Sequence, residues 1–337
     1  MLKSHSTRLG FIILCCILYL VLLVVLPLLG MEVFSMSTYA EPANASLDAH
    51  ILWHIRVPRL LLAYCAGAIL ALSGMVFQTM FRNPLATPFT LGVSSGCSLG
   101  AAVYLLGFVN FSILGMSGIT LFSFCGGLLA SLIVFMITRF QRGFHSTYML
   151  LAGVAVTLFF SSLVMLIQYM ANFYQTFLIF RWLVGGLDAV SYPTIGKLLP
   201  VVIGGIIMIS LYAKELDLLI LGDEIATSKG IYVNHLKMIL FGIVSFLISF
   251  IVALCGPIAF VGMIVPHICR LILGPKHRWL IIACVLVGGM FLGVSDTVAR
   301  MVIRPSELPV GIITAALGGP FFLWVLVMFG KHEGFGG

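Results

Sequence analysis

The chain has 337 residues, 61% hydrophobic and 9% charged, with a mean hydropathy of +1.18; soluble domains carry about 25% charged residues, so a water-soluble globule is excluded. The same composition, with 35 glycines and 13 prolines, argues against a β-barrel, whose strands alternate polar and apolar residues. A formal charge of +7 would suit a nucleic-acid partner in a soluble protein, but its meaning here depends on where the charges fall.

At the N-terminus, Lys3 and Arg8 precede an apolar run from Gly10 to Leu29. That run exceeds the roughly 7–15 residues of a signal-peptide core and reads as a retained first span. Ala43-Asn44-Ala45, which resembles a cleavage site, lies beyond it in a polar loop. Apolar runs place spans near 10–30, 55–80, 90–107, 116–138, 148–171, 193–213, 238–256, 258–273, 279–299 and 309–329. At about 20 residues per crossing, these predict ten transmembrane helices in one all-α, polytopic domain spanning 1–337, with both ends on one side. The third and eighth runs are short, and Cys255-Gly256-Pro257 leaves almost no loop between the seventh and eighth. Gln175 to Leu187 is too polar at its start and too short to cross, and predicts a half-helix. The eight cysteines lie nearly all within apolar runs, with no CxxC spacing, and read as small buried hydrophobes.

Lys and Arg near short loops stay in the cytoplasm. On the N-terminal side fall Lys3, Arg8, Arg82, Arg139, Arg142, Lys214, Lys229, Lys237, Arg270, Lys276, Arg278 and Lys331; only Arg56, Arg59, Arg181, Lys197, Arg300 and Arg304 fall on the other. Both termini are therefore expected in the cytoplasm, and the basic excess is a topology signal that needs no nucleic acid. One hydrophilic insertion, residues 214–237, interrupts the inner side. Its core, Leu216 to Gly230, offers two short amphipathic pieces divided by Gly222, whose missing side chain permits a bend. Such a pair suits docking on a cytoplasmic partner; a solvated loop is the other reading of the same residues.

Chemistry is mostly absent. Gly92-Val93-Ser94-Ser95-Gly96 matches the G-x-S-x-G nucleophile pattern, but without a strand–turn–helix setting it reads as a tightly packed helix start. No G-x-x-x-x-G-K-[ST] phosphate loop occurs, so energy from ATP has to arrive through a partner. The spans hold essentially no ionisable residue near their midpoints, which disfavours proton or sodium coupling. No cofactor and no metal site is expected; His267, beside Pro266, reads as a structural donor to carbonyls freed by the proline. Pro88 to Gly92 and Pro257 to Gly262 open spans from opposite sides, an echo of the kind inverted-repeat transporters show. On the outer face Arg56, Arg59, Arg300 and Arg304 gather. Their guanidinium forks suit carboxylates of an extracytoplasmic protein; snorkelling toward lipid headgroups is the alternative.

Several blocks in order carry a resemblance: Arg56-Val-Pro-Arg59, Gly67 to Gly74, Arg82-Asn-Pro-Leu-Ala86 through Gly96, Leu221-Gly222 with Ala226, Gly256 to Gly262, Ile264 to Ile268 with Arg270, Asp296 with Ala299-Arg300, and Glu307 to Gly311 leading to Gly319 through Trp324. Across most of its length the chain resembles the FecCD-type permease subunits of ATP-binding-cassette importers for ferric siderophores, haem and vitamin B12. The resemblance implies a type II importer permease of ten helices in a bacterial inner membrane, a second permease subunit expected to be an identical copy, two cytoplasmic ATP-binding subunits and an extracytoplasmic binding protein. It implies that Arg56, Arg59 and Arg300 dock that protein, and that coupling to the ATPase runs through Leu216, Leu219, Leu221, Gly222, Glu224, Ala226 and Gly230. It also implies that Arg181 and Trp182, with the fifth and tenth spans, line and gate the path. The cargo order it suggests is ferric siderophore, then haem, then cobalamin; the chain itself is expected to be no enzyme.

Overall fold

A computed structural model describes residues 5–30, 32–107, 111–113, 116–140, 146–187, 191–303 and 306–333. Lys3, Arg142 and Arg304, counted above, lie outside the described residues. The helices are α1 (His5–Val25), α2 (Leu47–Phe81, with a π-turn over Leu52–Arg56), α3 (Val93–Gly107), α4 (Gly118–Phe140), α5 (Ser146–Met170), α6 (Phe173–Leu183), α7 (Tyr192–Leu211), α8 (Ala213–Leu219), α9 (Asp223–Ser228), α10 (Val233–Cys255), α11 (Val261–Leu273), α12 (His277–Val302) and α13 (Val310–Glu333). A two-residue hairpin, β1 (Ser112–Ile113) with β2 (Met116–Ser117), is the only sheet among the described residues.

Each predicted run falls on one helix. Among the described residues seven helices are long and apolar enough to cross a membrane, and Val93–Gly107 of α3, Val261–Leu273 of α11 and Val310–Val325 of α13 are shorter apolar segments beside them. The predicted half-helix is α6, started by a capping box in which Asn172 and Gln175 bond each other's backbone N–H groups. Cys255-Gly256-Pro257 is the tight break between α10 and α11, with Gly256 at φ +67° and Phe260 at φ +68° leading into α11.

Burial sorts the helices into layers. Across the most apolar window of α2, 94% of residues are buried in protein, against 17% for α1 and 28% for α5 and α7. The outer helices therefore turn Leu14, Leu20, Leu158 and Ile207 outward, as lipid or a neighbouring subunit requires. Cys16 and Cys125 also lie on these exposed faces, unlike the buried Cys97, Cys255 and Cys284. One apolar core runs from Leu62 through Val310 and takes in Leu216, Leu219 and Ala226 of the polar insertion.

The middle of the bundle is packed on backbone. A Cβ at Gly67 would collide with the carbonyl of Gly288 on α12, and one at Gly74 with the carbonyl of Gly262 on α11. Without a hydrophobic drive between helices in lipid, such close approach is what holds them. Gly74→Ala is expected to destabilise the protein by about 1–3 kcal/mol through overpacking. Gly204→Ala, which meets no atom within 4 Å, is expected to be neutral or slightly stabilising; denaturant unfolding of both variants in detergent checks the contrast.

Candidate functional site

At the C-terminal end of α2, the insertion is built as α8, a turn through Gly222, and α9. Gly222 sits at φ +126°, ψ 151°, a conformation that essentially only glycine adopts. Leu216, Leu219 and Ala226 are fully buried in the main core, while Leu221 and Ile225 are exposed. Glu224 and Gly230 are exposed as well, and Tyr232 is almost wholly so. A groove of about 850 Å³ runs along α9 and the start of α10, between Glu224, Ile231 and His235. The insertion is thus stapled by its apolar side and presents a mixed polar and apolar surface; the plain solvated loop does not describe it.

The polar partners of that staple escaped the sequence reading. Asp217 Oδ1 accepts from the His277 backbone N–H at 2.8 Å and lies 2.7 Å from ring Nδ1. Asp223 Oδ2 accepts from Lys237 Nζ at 2.6 Å, and its other oxygen stands 3.6 Å from Arg82. Their only trace in the sequence was the acid content of the insertion. Burial alone would raise the Asp217 carboxyl, but the hydrogen bonds from His277 and the charges of His277 and Lys276 outweigh it and hold the group below its usual range.

At the N-terminal end of α2 the arginines are found together, as expected, but none is a free fork. Arg56, Arg59 and Arg300 are 8%, 8% and 4% exposed. Arg56 donates to the carbonyls of Pro27 (3.0 Å), Leu28 (3.3 Å) and Glu32 (3.0 Å), and lies 3.9 Å over the Phe34 ring. Arg59 grips Asp296 through Nε and NH2, the closest approach being 2.9 Å, and pairs with Glu307 through NH1. Arg300 completes the group, donating to Asp296 Oδ2 at 3.2 Å and to the Leu29 carbonyl at 3.2 Å. Burial in a low-dielectric site forces each of these three guanidiniums onto an acceptor of its own chain. Asp296, whose side chain is 1% exposed, is shared by two arginines, whereas Glu307 keeps 39% exposure.

Between the ends, Arg181 and Trp182 close α6 and line a cavity of about 540 Å³ with Thr120, Lys197 and Gly256. The chain then turns through Gly185, whose carbonyl accepts from Gly311 N at 3.2 Å, while Gly186 N donates to Cys255 O at 2.8 Å. That knot ties α6, α10 and α13 together. A second cavity of about 560 Å³ beside it is lined by Ser94, Ser95, Ser98, Thr157 and Ser161 together with apolar residues such as Phe89, Leu183, Val184 and Ile312. The serine motif therefore borders a mostly apolar space, and the buried Ser94 hydroxyl has no hydrogen-bond partner among the described residues. His267 packs edge-on against Phe321, ring centroids 5.8 Å apart.

Comparison with known proteins matches residues 11–328 to the model of the FecCD transport family. The hemin transport system permease protein HmuU of Yersinia pestis is 37% identical over 315 residues, covering 91% of this chain and 93% of that protein. The Fe(3+) dicitrate transport system permease protein FecD of Escherichia coli is 34% identical over 280 residues, covering 82% of this chain and 85% of its own. Among solved structures, a metal-chelate type ABC transporter in an inward-facing conformation has a chain with a TM-score of 0.83 at 27% identity, covering 95% of this chain and 99% of that one.

Two outcomes follow from the charge arrangement. Asp296→Ala strands two buried arginines and is expected to cost about 3–5 kcal/mol in denaturant unfolding, with Glu307→Gln close to neutral. For Asp217 the folded carboxyl is the stronger acid, so its stabilisation is fully present above about pH 4 and is lost as pH falls through the lower folded value. The stability advantage of the wild type over Asp217→Asn should accordingly shrink in unfolding curves taken below that pH.

Proposed function

The chain belongs to the FecCD transport family as an ABC importer permease subunit, and we propose that it admits an iron(III) chelate of the siderophore type to the cytoplasm, powered by separate ATP-binding subunits. The observation that carries this reading is the stapled insertion: two short helices, bent at Gly222 and sewn to the core by Leu216, Leu219 and Ala226, leave Leu221, Ile225 and Glu224 outward. A polypeptide without a phosphate loop needs such a handle for an ATPase to grip. In this reading the insertion and both termini are cytoplasmic, the membrane is a bacterial inner membrane, and the ten apolar helices all cross it. Two copies of the chain enclose the path, two ATPase subunits hold the insertions, and a binding protein delivers cargo on the opposite face.

The cargo assignment rests on relatives named for hemin and for ferric dicitrate, which share chelated iron. Haem is the second reading, favoured by the breadth of the match to the hemin permease. Arg181 and Trp182 at the knot of α6, α10 and α13 gate the path, and the cavity beside it forms part of its wall. A lining of neutral, mostly apolar groups suits a conduit that must release what a binding protein has already selected, since uniformly tight binding would only slow passage. Docking of the binding protein uses the arginine face by exchange: a carboxylate from the partner takes the place of the exposed Glu307 on Arg59.

Three measurements test these assignments. The complete transporter in vesicles should accumulate labelled ferric siderophore in an ATP-dependent way; uptake by this chain alone down an ion gradient would overturn the reading, and exclusive uptake of haem would move the cargo to the second choice. Leu221→Asp should release the ATPase during purification, and full retention would remove the insertion from that interface. Glu307→Gln should tighten binding-protein association by about threefold, roughly the worth of one exposed ion pair; weakened association would reject the exchange.

A further inference from the structure

The last turn of α2 is where the polar side chains of the insertion converge. On one side Asp217 holds the fully buried His277, the first residue of α12, whose Nε2 is 2.8 Å from Thr79 Oγ1. Thr79 in turn donates to the Met75 carbonyl at 2.9 Å. On the other side Asp223 holds Lys237, 1% exposed at the start of α10; Lys237 also donates to Ser146 Oγ at 3.2 Å, and Ser146 donates to the Met80 carbonyl at 3.1 Å. Asp223 reaches Arg82, the left-handed cap of α2, directly. Two carboxylates on the two helices of the insertion thus end on one turn, residues 79–82, from opposite sides.

That turn belongs to a braced pair. α2 and α12 are joined by Thr79–His277 at one end, by the backbone contact of Gly67 with Gly288 in the middle, and by Arg59–Asp296 at the other end. A helix pair pinned at three levels, with packed backbones between, moves as one body more readily than it bends.

We propose that Asp217 and Asp223 are the two positioning residues through which the insertion drives the α2–α12 pair, so that this pair carries the ATPase state to the arginine face. The proposal rests on the reading of the insertion as the ATPase handle. The insertion's apolar residues fix where it sits; its two carboxylates fix which helices follow it. Because coupling is reciprocal, the same pair returns the presence of the binding protein to the ATPase.

The test uses the whole transporter in vesicles, with two readouts: cargo accumulated per ATP hydrolysed, and the factor by which ATP changes binding-protein affinity. Asp217→Ala with Asp223→Ala should keep the ATPase bound yet lower both readouts by about tenfold, within the range of measured couplings, with Asp217→Asn recovering part of the loss. Thr79→Val, which removes the link from His277 to α2 along with the Thr79 bond to the Met75 carbonyl in the same helix, should lower both by about threefold, and it decides the matter if the double variant fails to assemble. Unchanged uptake per ATP in an assembled double variant, or in Thr79→Val, overturns the proposal. If Leu221→Asp leaves the ATPase bound, the handle itself is misplaced; if it releases the ATPase while the carboxylate variants stay fully coupled, only the two-point drive fails.

Discussion

Helix α2 is almost entirely buried in protein from Pro58 to Phe81, so the charge it carries there, on Arg59, has to be satisfied within this chain. Lipid offers no hydrogen bonds, and an unpartnered charge in such a place is costly. Both ends of α2 meet this demand with long-range pairs. Arg59 reaches Asp296, 237 residues away in sequence, and Thr79 reaches His277, 198 residues away. The interior of the helix carries no charge and is rich in small residues, Ala63, Ala66, Gly67, Ala71 and Gly74, all buried. A central helix solved in this way fixes the positions of α11 and α12 around it, and through them the two faces where partners are proposed to act.

The arginine face illustrates how burial changes the meaning of a residue. Four arginines on an outer loop suggest a surface that waits for carboxylates. In the fold, three of them are consumed by tying the Leu26–Phe34 segment and the end of α12 to the start of α2. One buried carboxylate, Asp296, carries two of these arginines, and Glu307 is the more exposed acid of the network. The docking proposed for this face would therefore act at the exposed edge of a structural network, where Glu307 meets Arg59.

Much of the architecture was legible from apolar runs alone, because a span needs about 20 apolar residues whatever surrounds it. The half-helix was legible from its polar start at Gln175, though not its cap Asn172, and the bend of the insertion from Gly222. What stayed hidden were pairings between distant residues. Nothing at Asp217 or Asp223 distinguishes a latch from a solvated acid until His277, Lys237 and Arg82 are brought to them by the fold. The arginine partners Asp296 and Glu307 stood in the sequence as ordinary outer acids for the same reason. The small helix-start motif around Ser94 became informative only when α5 brought Thr157 and Ser161 to the same cavity.

The account depends on the insertion projecting into the cytoplasm and being held there by the ATPase. The most direct measurement is the labelling of a Leu221→Cys variant with a membrane-impermeant thiol reagent, in inside-out and right-side-out vesicles, against the background of the exposed Cys16 and Cys125. The account predicts labelling from the cytoplasmic side alone, with protection when the ATPase is bound. Labelling from the outer side, or no protection by the ATPase, would contradict it.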